Sequence, residues 1–497
     1  MARRIDHASW DQLFVRTAAS GRPLQARLRE MVTSAISEGW LATDMPLPSS
    51  RQLARNLKIA RNTVLLAYQQ LVDEDVLEAR ERSGYFVKSA SSACPSAERS
   101  NKENAGAAVD WTGRLAIRPA EQHNIVKPAD WLNIPYPFIY GQADPTLFPI
   151  NDWRECVRQA LSVLEIRGWS ADLVDGDDPE LVEQIRTRVL PRRGIWATPD
   201  EIMITLGAQQ ALYLLAELLI RPDLVVGMEE PGYPDARNIF ALKSAALRML
   251  PVDCDGIDPD DVPRDCRLLF LTPSRHCPTG VRLSKDRRER LLAIADTRDL
   301  LIIEDDFESN FGLSRDASIA MRGLDASSRV LYVGSLSKTL APGLRVGYIV
   351  GPPEVMREAR ALRRLMLRHA PTNNQRALAL FLALGHFDRL LRKTVSALEE
   401  RATIMRMALT RHLPAFDASY GVGGSSVWVK GPDGLDSRAL AVRARDAGVL
   451  IEPGDVFFEG EGPPKQYFRL GFAAIPATRI EPGLEILGGI AAGKLEP

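Results

Sequence analysis

The hydrophobic pattern along this chain changes period between its first hundred residues and the rest. Over residues 23–36, apolar Leu24, Leu28, Val32 and Ile36 recur every four positions, which is one face of a helix. Gly39 ends it. Leu47-Pro-Ser-Ser-Arg51 follows, where Ser49 or Ser50 can cap a second short helix running through Leu57. The turn Lys58-Ile-Ala60 opens a third helix with Val64, Tyr68 and Leu71 on its core face. Val76-Leu-Glu-Ala79, a charged turn over 80–84 and Tyr85-Phe-Val-Lys88 then read as a short hairpin. Helix, helix-turn-helix and hairpin, in that order, predict a winged helix-turn-helix over residues 1–88.

Residues 89–109 offer almost nothing to bury, and 110–129 show no clear element, so 89–129 is expected to be a flexible linker. A second domain is expected over 130–497. Tyr140-Gly-Gln-Ala-Asp144 and Leu147-Phe-Pro149 begin it, and Trp153 leads a helix. Short apolar runs at 202–205, 224–227, 268–272, 300–303 and 330–333 then alternate with helical stretches. That alternation predicts an α/β fold with a mostly parallel sheet, whose ligands sit beyond the carboxyl ends of its strands. The longest helical apolar run, near 211–220, is too short to span a bilayer.

A chain of 497 residues has room for both domains, and 45% hydrophobic with 26% charged residues is ordinary globular composition. The formal net charge of -1 excludes a globally basic nucleic-acid binder, so any such signal is local. It lies between Ser49 and Thr63, where Arg51, Arg55, Lys58 and Arg61 stand without an acid. Residues 1–88 hold 13 Lys and Arg against 10 Asp and Glu. A recognition helix reads bases from its N-terminal residues, here Arg61, Asn62 and Thr63. Ser50, Arg51 and the helix N-termini would meet phosphates, and the wing residues Arg82 and Gly84 the backbone or minor groove. On charge alone, the arginines serve equally well as the solvated face of a small bundle. Cys94, Cys156, Cys254, Cys266 and Cys277 are odd in number and form no Cys-x-x-Cys pair, which fits a reducing cytoplasm and gives no zinc or disulfide framework. The six histidines show no metal spacing, and the first residues lack the apolar core of a signal peptide.

Candidate chemistry gathers at strand ends. Lys338 stands in Ser335-Leu-Ser-Lys338, on the loop after the run 330–333, with Arg345 seven residues on in Pro-Gly-Leu-Arg-Val-Gly347. A lysine amine can form a Schiff base with an aldehyde cofactor, and Ser335, Ser337 and Arg345 can hold a phosphate. Ala208 and Gln209 follow Gly207 at a helix start, where free amides favour a phosphate. Tyr233, in Glu230-Pro-Gly-Tyr-Pro234, either stacks on a cofactor ring or packs in its turn. A carboxylate of Glu304-Asp305-Asp306, just before Phe307, can pair with a pyridinium nitrogen. Arg469, within Tyr467-Phe-Arg-Leu-Gly-Phe472, needs an anion if buried: a ligand acid or an internal carboxylate.

Two sets of motifs carry a resemblance. Leu-Pro-Ser-Ser-Arg-Gln-Leu-Ala, Arg-Asn-Thr-Val with Ala67-Tyr68, and Ser-Gly-Tyr-Phe-Val resemble the GntR-type winged helix over residues 22–88, with Ala60 where serine is usual. Ser335 to Gly347 resembles the pyridoxal-phosphate lysine motif of fold-type I aminotransferases, and the whole chain is similar in layout to the MocR-type regulators. The resemblance implies pyridoxal 5'-phosphate bound by Lys338, Asp305, Tyr233, Ala208, Gln209, Ser335, Ser337 and Arg345. It also implies an effector acid on Arg469, double-stranded promoter or operator DNA as partner, and a head-to-tail homodimer. Members of that family answer to compounds such as γ-aminobutyrate, taurine or the cofactor itself.

Departures from the pattern bear on activity. Phe307 replaces a tyrosine, Leu206 a serine and Cys277 an asparagine, and no tyrosine of a Tyr-Gly-Asp-Pro string appears over 171–178. Each removes a polar contact to the cofactor, about 0.5–1.5 kcal/mol net. The expectation is therefore a regulator that senses a small amino compound by aldimine exchange at Lys338. The alternatives are a working aminotransferase with a DNA-binding domain and a regulator that binds its ligand without the cofactor.

Overall fold

Every fourth residue being apolar is enough to seed the first helix, but packing decides its face. The structure, a computed structural model, describes residues 10, 13–15, 23–80, 83–88, 109–243, 246–308, 319–421 and 423–493. Its contacts divide the chain into Met1–Arg114 and Leu115–Pro497. In the first unit α1 (Leu24–Ser37) buries Leu28, Met31, Val32 and Ala35. Leu24, at the free end, is 44% exposed, so the buried stripe begins one turn later than the sequence pattern. Ser49 caps α2 (Ser50–Asn56) by accepting from the Gln52 amide at 3.2 Å. α3 (Arg61–Asp73) buries Val64, Ala67, Tyr68 and Leu71, and its first residue follows Ala60, which offers no side-chain cap. β1 (Leu77–Arg80) and β2 (Gly84–Val87) pair antiparallel. Gly84 has φ near +104°, a conformation that a side chain resists. Tyr68 closes this core, its ring meeting Tyr85 at a tilt with centroids 4.9 Å apart, and donates to the Pro48 carbonyl at 3.1 Å.

The second unit is built on an eight-stranded sheet. Its strands are β3 (Ile202–Thr205), β4 (Val225–Glu230), β5 (Ala246–Asp253), β6 (Gly256–Ile257), β7 (Cys266–Leu271), β8 (Leu301–Asp306), β9 (Val330–Ser335) and β10 (Gly347–Val350). The order across it is β3-β10-β9-β8-β7-β4-β5-β6. β9, β8, β7, β4 and β5 are mutually parallel, while β10 runs antiparallel to both its neighbours. Helices α4 (Ile150–Ala160), α5 (Ala208–Leu219), α6 (Pro234–Ala241), α7 (Lys285–Arg298) and the single turn α8 (Ser337–Leu340) join or flank them. Parallel strands buried on both faces read as continuous apolar runs, which is why these strands stand out in the sequence.

A smaller four-stranded antiparallel sheet completes the unit: β11 (Asp417–Tyr420), β12 (Ser426–Lys430), β13 (Glu452–Pro453) and β14 (Tyr467–Gly471), in the order β11-β12-β14-β13. The helices His386–His412 and Ala477–Ala491 pack on it through Leu409, Phe468, Leu470 and Leu487. Residues 89–108 of the expected linker lie outside the described residues. Among the described residues no helix is long and apolar enough to cross a membrane.

Candidate functional site

Where the parallel strands end, their loops open a cleft of about 270 Å³. Eight residues singled out in the sequence line it: Lys338, Asp305, Tyr233, Ala208, Gln209, Ser335, Ser337 and Arg345. They come from loops far apart in the chain, and the sheet brings them together.

Asp305 shows how strand alternation selects one acid from three. Its neighbours Glu304 and Asp306 point to the opposite face of β8. Glu304 accepts from the Met321 and Arg322 amides, both at 2.9 Å. Asp306 takes the Arg193 guanidinium at 2.7 Å and the Tyr332 hydroxyl at 2.6 Å. Asp305 lines the cleft, buried, with Oδ1 lacking any partner. Burial raises it to about 8, Asp306 and Glu229 adding to the rise and Lys338 opposing it.

A cup forms opposite. Gly207 precedes α5, whose first amides have no helical acceptor. Arg345, at φ 53°, donates to the Leu206 carbonyl at 2.8 Å and lies against Gly207. Gly347 makes this approach feasible: a Cβ there would come 2.8 Å from Gly207 Cα and 3.0 Å from the Ala208 nitrogen. Ser335 ends β9 at the same wall. Ser337 is tied inward, since its Oγ accepts from the Val346 amide at 2.5 Å and donates to the Val346 carbonyl at 3.1 Å. Tyr233 donates to Asp235 at 3.0 Å, which also accepts from Gln209 Nε2 at 2.7 Å.

Lys338 sits on the turn α8 rather than on an open loop. Its Nζ lies 3.8 Å over the Tyr140 ring and 5.7 Å from the Phe307 ring. Burial lowers it to about 8 against the pull of Glu308, and Lys127 and Arg469 push the same way as burial. Tyr140 is fixed from behind by Glu308, which it meets at 2.7 Å. Burial alone would raise Glu308; Arg275, 2.9 Å away, with Lys338, Ser425 and Tyr140, holds it below the usual carboxylate range. Tyr140, Glu308, Arg275 and Ser425 were not singled out in the sequence, and no spacing links them.

Arg469 receives an internal partner. It sits on β14 directly across from Glu452 on β13, and its Nε donates to that carboxylate at 2.9 Å. Its Nη2 is buried without a partner, and its Cζ lies 4.0 Å over the Tyr140 ring. The departures from the family pattern have packing reasons. Leu206 joins an apolar cluster beside the cup, and Phe307 meets Tyr140 edge-on at 6.4 Å. Cys277 is buried, its thiol pushed up to about 12 mainly by that burial. Over 171–178, Asp177 pairs with Arg363 at 2.6 Å and Asp178 caps the helix Pro179–Gln184.

In the first unit, Arg51, Arg55, Arg61 and Asn62 are exposed on α2 and α3, with Thr63 and Ser50 half-buried beside them. Arg61 Nε reaches Ser50 Oγ at 3.5 Å. Among the described residues, none of Arg51, Arg55, Lys58 and Arg61 forms an ion pair, whereas Arg29, Arg80 and Lys88 each do. The unpaired charge is therefore concentrated where the two helices meet. Arg82 lies outside the described residues, and Gly84 is exposed. Arg61→Ala should weaken binding to the cognate site by about 1–3 kcal/mol and relax its sequence preference. Mobility shift against cognate and scrambled DNA checks this. An equal loss on both would make Arg61 a phosphate contact instead.

Comparison with known proteins agrees on both units. The family of bacterial regulatory proteins of the gntR type matches residues 24–87, and aminotransferase class I and II matches residues 143–487. The HTH-type transcriptional regulator TauR of Rhodobacter capsulatus is 44% identical over 93% of this chain and 95% of its own length. The probable rhizopine catabolism regulatory protein MocR of Rhizobium meliloti is 31% identical over 94% and 93%. Among solved structures, an archaeal alanine:glyoxylate aminotransferase is 26% identical with TM-score 0.70, covering 78% of this chain and 100% of that one. The α-aminoadipate aminotransferase LysN of Thermus thermophilus, complexed with N-(5'-phosphopyridoxyl)-L-leucine, is 27% identical with TM-score 0.68, covering 78% and 99%. With a DNA-binding winged helix and a pyridoxal-phosphate fold on one polypeptide, the chain belongs to the MocR-type transcriptional regulators.

Proposed function

We propose that this regulator senses a small amino compound in its aminotransferase-like unit, with pyridoxal phosphate held at Lys338, and passes the response to promoter DNA in the cytoplasm. One observation carries the reading: a buried amine, a buried carboxyl without a partner and a cup of free amides face one another across a single cleft.

The residues fit the cofactor. Asp305 Oδ1 lacks the partner that a ring nitrogen would supply. Gly207, Ala208 and Gln209, with Ser335 and Arg345, line the end of the cleft where the first amides of α5 would receive a phosphate, and the absence of a Cβ at Gly347 lets that backbone approach. Tyr233 would flank the ring. When bound, pyridoxal phosphate supplies an aldehyde carbon that bonds reversibly to a primary amine. Lys338, at about 8, keeps a share of neutral amine near physiological pH, the form that can bond. Arg469 would meet an acid group on the effector.

Sensing rather than turnover suits this cleft. Leu206, Phe307 and Cys277 place apolar or unionised groups where contacts to a working cofactor would be polar. A head-to-tail homodimer is the assembly that the resemblance implies, presenting two winged helices to two half-sites.

The test titrates cofactor-loaded protein with primary amines while reading visible absorbance and affinity for the DNA upstream of its own gene. An amine that moves both with one midpoint is the expected result. Sustained conversion of amine and keto acid, with DNA affinity unmoved, would turn the reading towards an enzyme.

A further inference from the structure

Lys127 brings a second ammonium into the cleft that neither the fold nor the proposed cofactor contacts use. It lies in a segment pinned on both sides. Before it, Asn238 Nδ2 donates to the His123 carbonyl at 2.9 Å and to Asn124 Oδ1 at 2.7 Å. Ile125 packs on the cluster of Cys277, Trp428 and Phe457. After it, Asp130 pairs with Arg445 at 3.1 Å. Lys127 is exposed as a residue, yet its ammonium lines the cleft: a Cβ on Gly141 would lie 2.7 Å from Lys127 Nζ and 3.1 Å from Lys338 Nζ.

Three cations, Lys127, Lys338 and Arg469, crowd this end of the cleft. Lys338 Nζ and Arg469 Cζ both lie over the Tyr140 ring, at 3.8 and 4.0 Å. Glu452 accepts from Arg469 through Oε2, its Oε1 staying buried without a partner, and Asp235 accepts from Tyr233 and Gln209. Among the described residues Lys127 forms no ion pair or hydrogen bond, and Arg469 Nη2 is buried and unpartnered. Burial lowers Lys127 and Arg469 adds to the fall, while Glu452 and Asp235 pull the other way without forming an ion pair with it. Two donors without acceptors thus stand beside the amine of Lys338.

We propose that Lys127 is a specificity-determining residue that binds the acid group, carboxylate or sulfonate, of an amino compound whose amine is presented at Lys338. This rests on the reading that the unit senses amines at Lys338. It adds that the end of the stretch expected from the sequence to be linker, which the structure assigns to the second unit, selects acidic amines over neutral ones together with Arg469.

The experiment uses full-length, cofactor-loaded wild type, Lys127→Gln and Lys127→Arg. Each is titrated with 3-aminopropanoate, 2-aminoethanesulfonate and propylamine, following the visible absorbance. Wild type should respond to an acidic amine at a lower midpoint than to propylamine. Lys127→Gln should raise the acid midpoint about ten- to a hundredfold relative to propylamine, the range of one charge-assisted contact, and Lys127→Arg should restore most of it. The ratio cancels any change in cofactor loading. Equal shifts for acid and propylamine, or no shift, would overturn the inference while leaving amine sensing intact. Loss of the cofactor band in Lys127→Gln would also overturn it, by placing Lys127 on the cofactor. Absence of any response in wild type would remove the sensing reading and this inference together.

Discussion

Lys338→Ala should bind DNA as wild type does and no longer answer to any amine. The visible band of the lysine-bound cofactor should vanish, and the amine midpoint for the change in DNA affinity should move by about a hundredfold or more, roughly 3 kcal/mol. The variant is expected to fold. Burial lowers Lys338 to about 8 from an ordinary value near ~10.5. The folded state therefore disfavours the ammonium relative to the unfolded chain. That penalty is fully present below pH ~8 and fades as pH rises towards ~10.5. Alanine removes it, which at neutral pH offsets part of the contact with Tyr140 that the cofactor-free variant loses. A lost response then reports chemistry, not unfolding. Lys127 supplies an internal control, because it holds a second amine in the same cleft. A weak band that survives in Lys338→Ala and disappears in Lys338→Ala/Lys127→Gln would show the aldehyde transferred to Lys127. A full amine response in Lys338→Ala would defeat the proposed sensing chemistry.

The parts of this molecule that were legible in the sequence are those written in short range. β3 spans Ile202–Thr205 and its apolar run covers the same four residues. β8 and β9 run on to Asp306 and Ser335, beyond the apolar runs that announce them. Their last residues are polar but buried or tied to partners, which hydropathy does not register. The lysine motif was readable because its Ser, Lys, Arg and Gly all serve one loop within thirteen positions. Gly347 shows the reason for one of them: the close approach of β10 to Gly207. Pattern alone did not tell Asp305 from Glu304 and Asp306; the resemblance did, and the physical reason is the strand alternation fixed by partners such as Met321 and Arg193. Tyr140, Glu308, Arg275 and Ser425 come together across 285 positions of sequence numbering with no common spacing, so only the fold reveals them. The inward hydrogen bond of Ser337 and the Glu452 partner of Arg469 were hidden for the same reason: a partner on another strand or turn leaves no local pattern.

Arg193→Ala should cost about 3–5 kcal/mol, while Arg192→Ala, one residue earlier, should cost less than about 1 kcal/mol. The contrast isolates burial. Arg192 pairs with Asp388 at a partly exposed site, with side-chain exposures of 39% and 33%. Water replaces either partner there when the other is removed. Arg193 and Asp306 are buried at 2% and 0%. Arg193 also donates to Ser274 Oγ at 2.5 Å, and Tyr332 shares the Asp306 carboxylate. Deleting the guanidinium leaves that carboxylate enclosed with one hydroxyl donor and with Glu304 on the same strand face. That leaves β8 to loosen, and β8 carries Asp305 into the cleft. Urea unfolding of full-length protein, followed by the fluorescence of its tryptophans and by the visible band, reads both consequences. The expected result is an early midpoint for Arg193→Ala with loss of the band before the main transition. Matching midpoints for the two variants would mean that the buried pair contributes no more than a surface one.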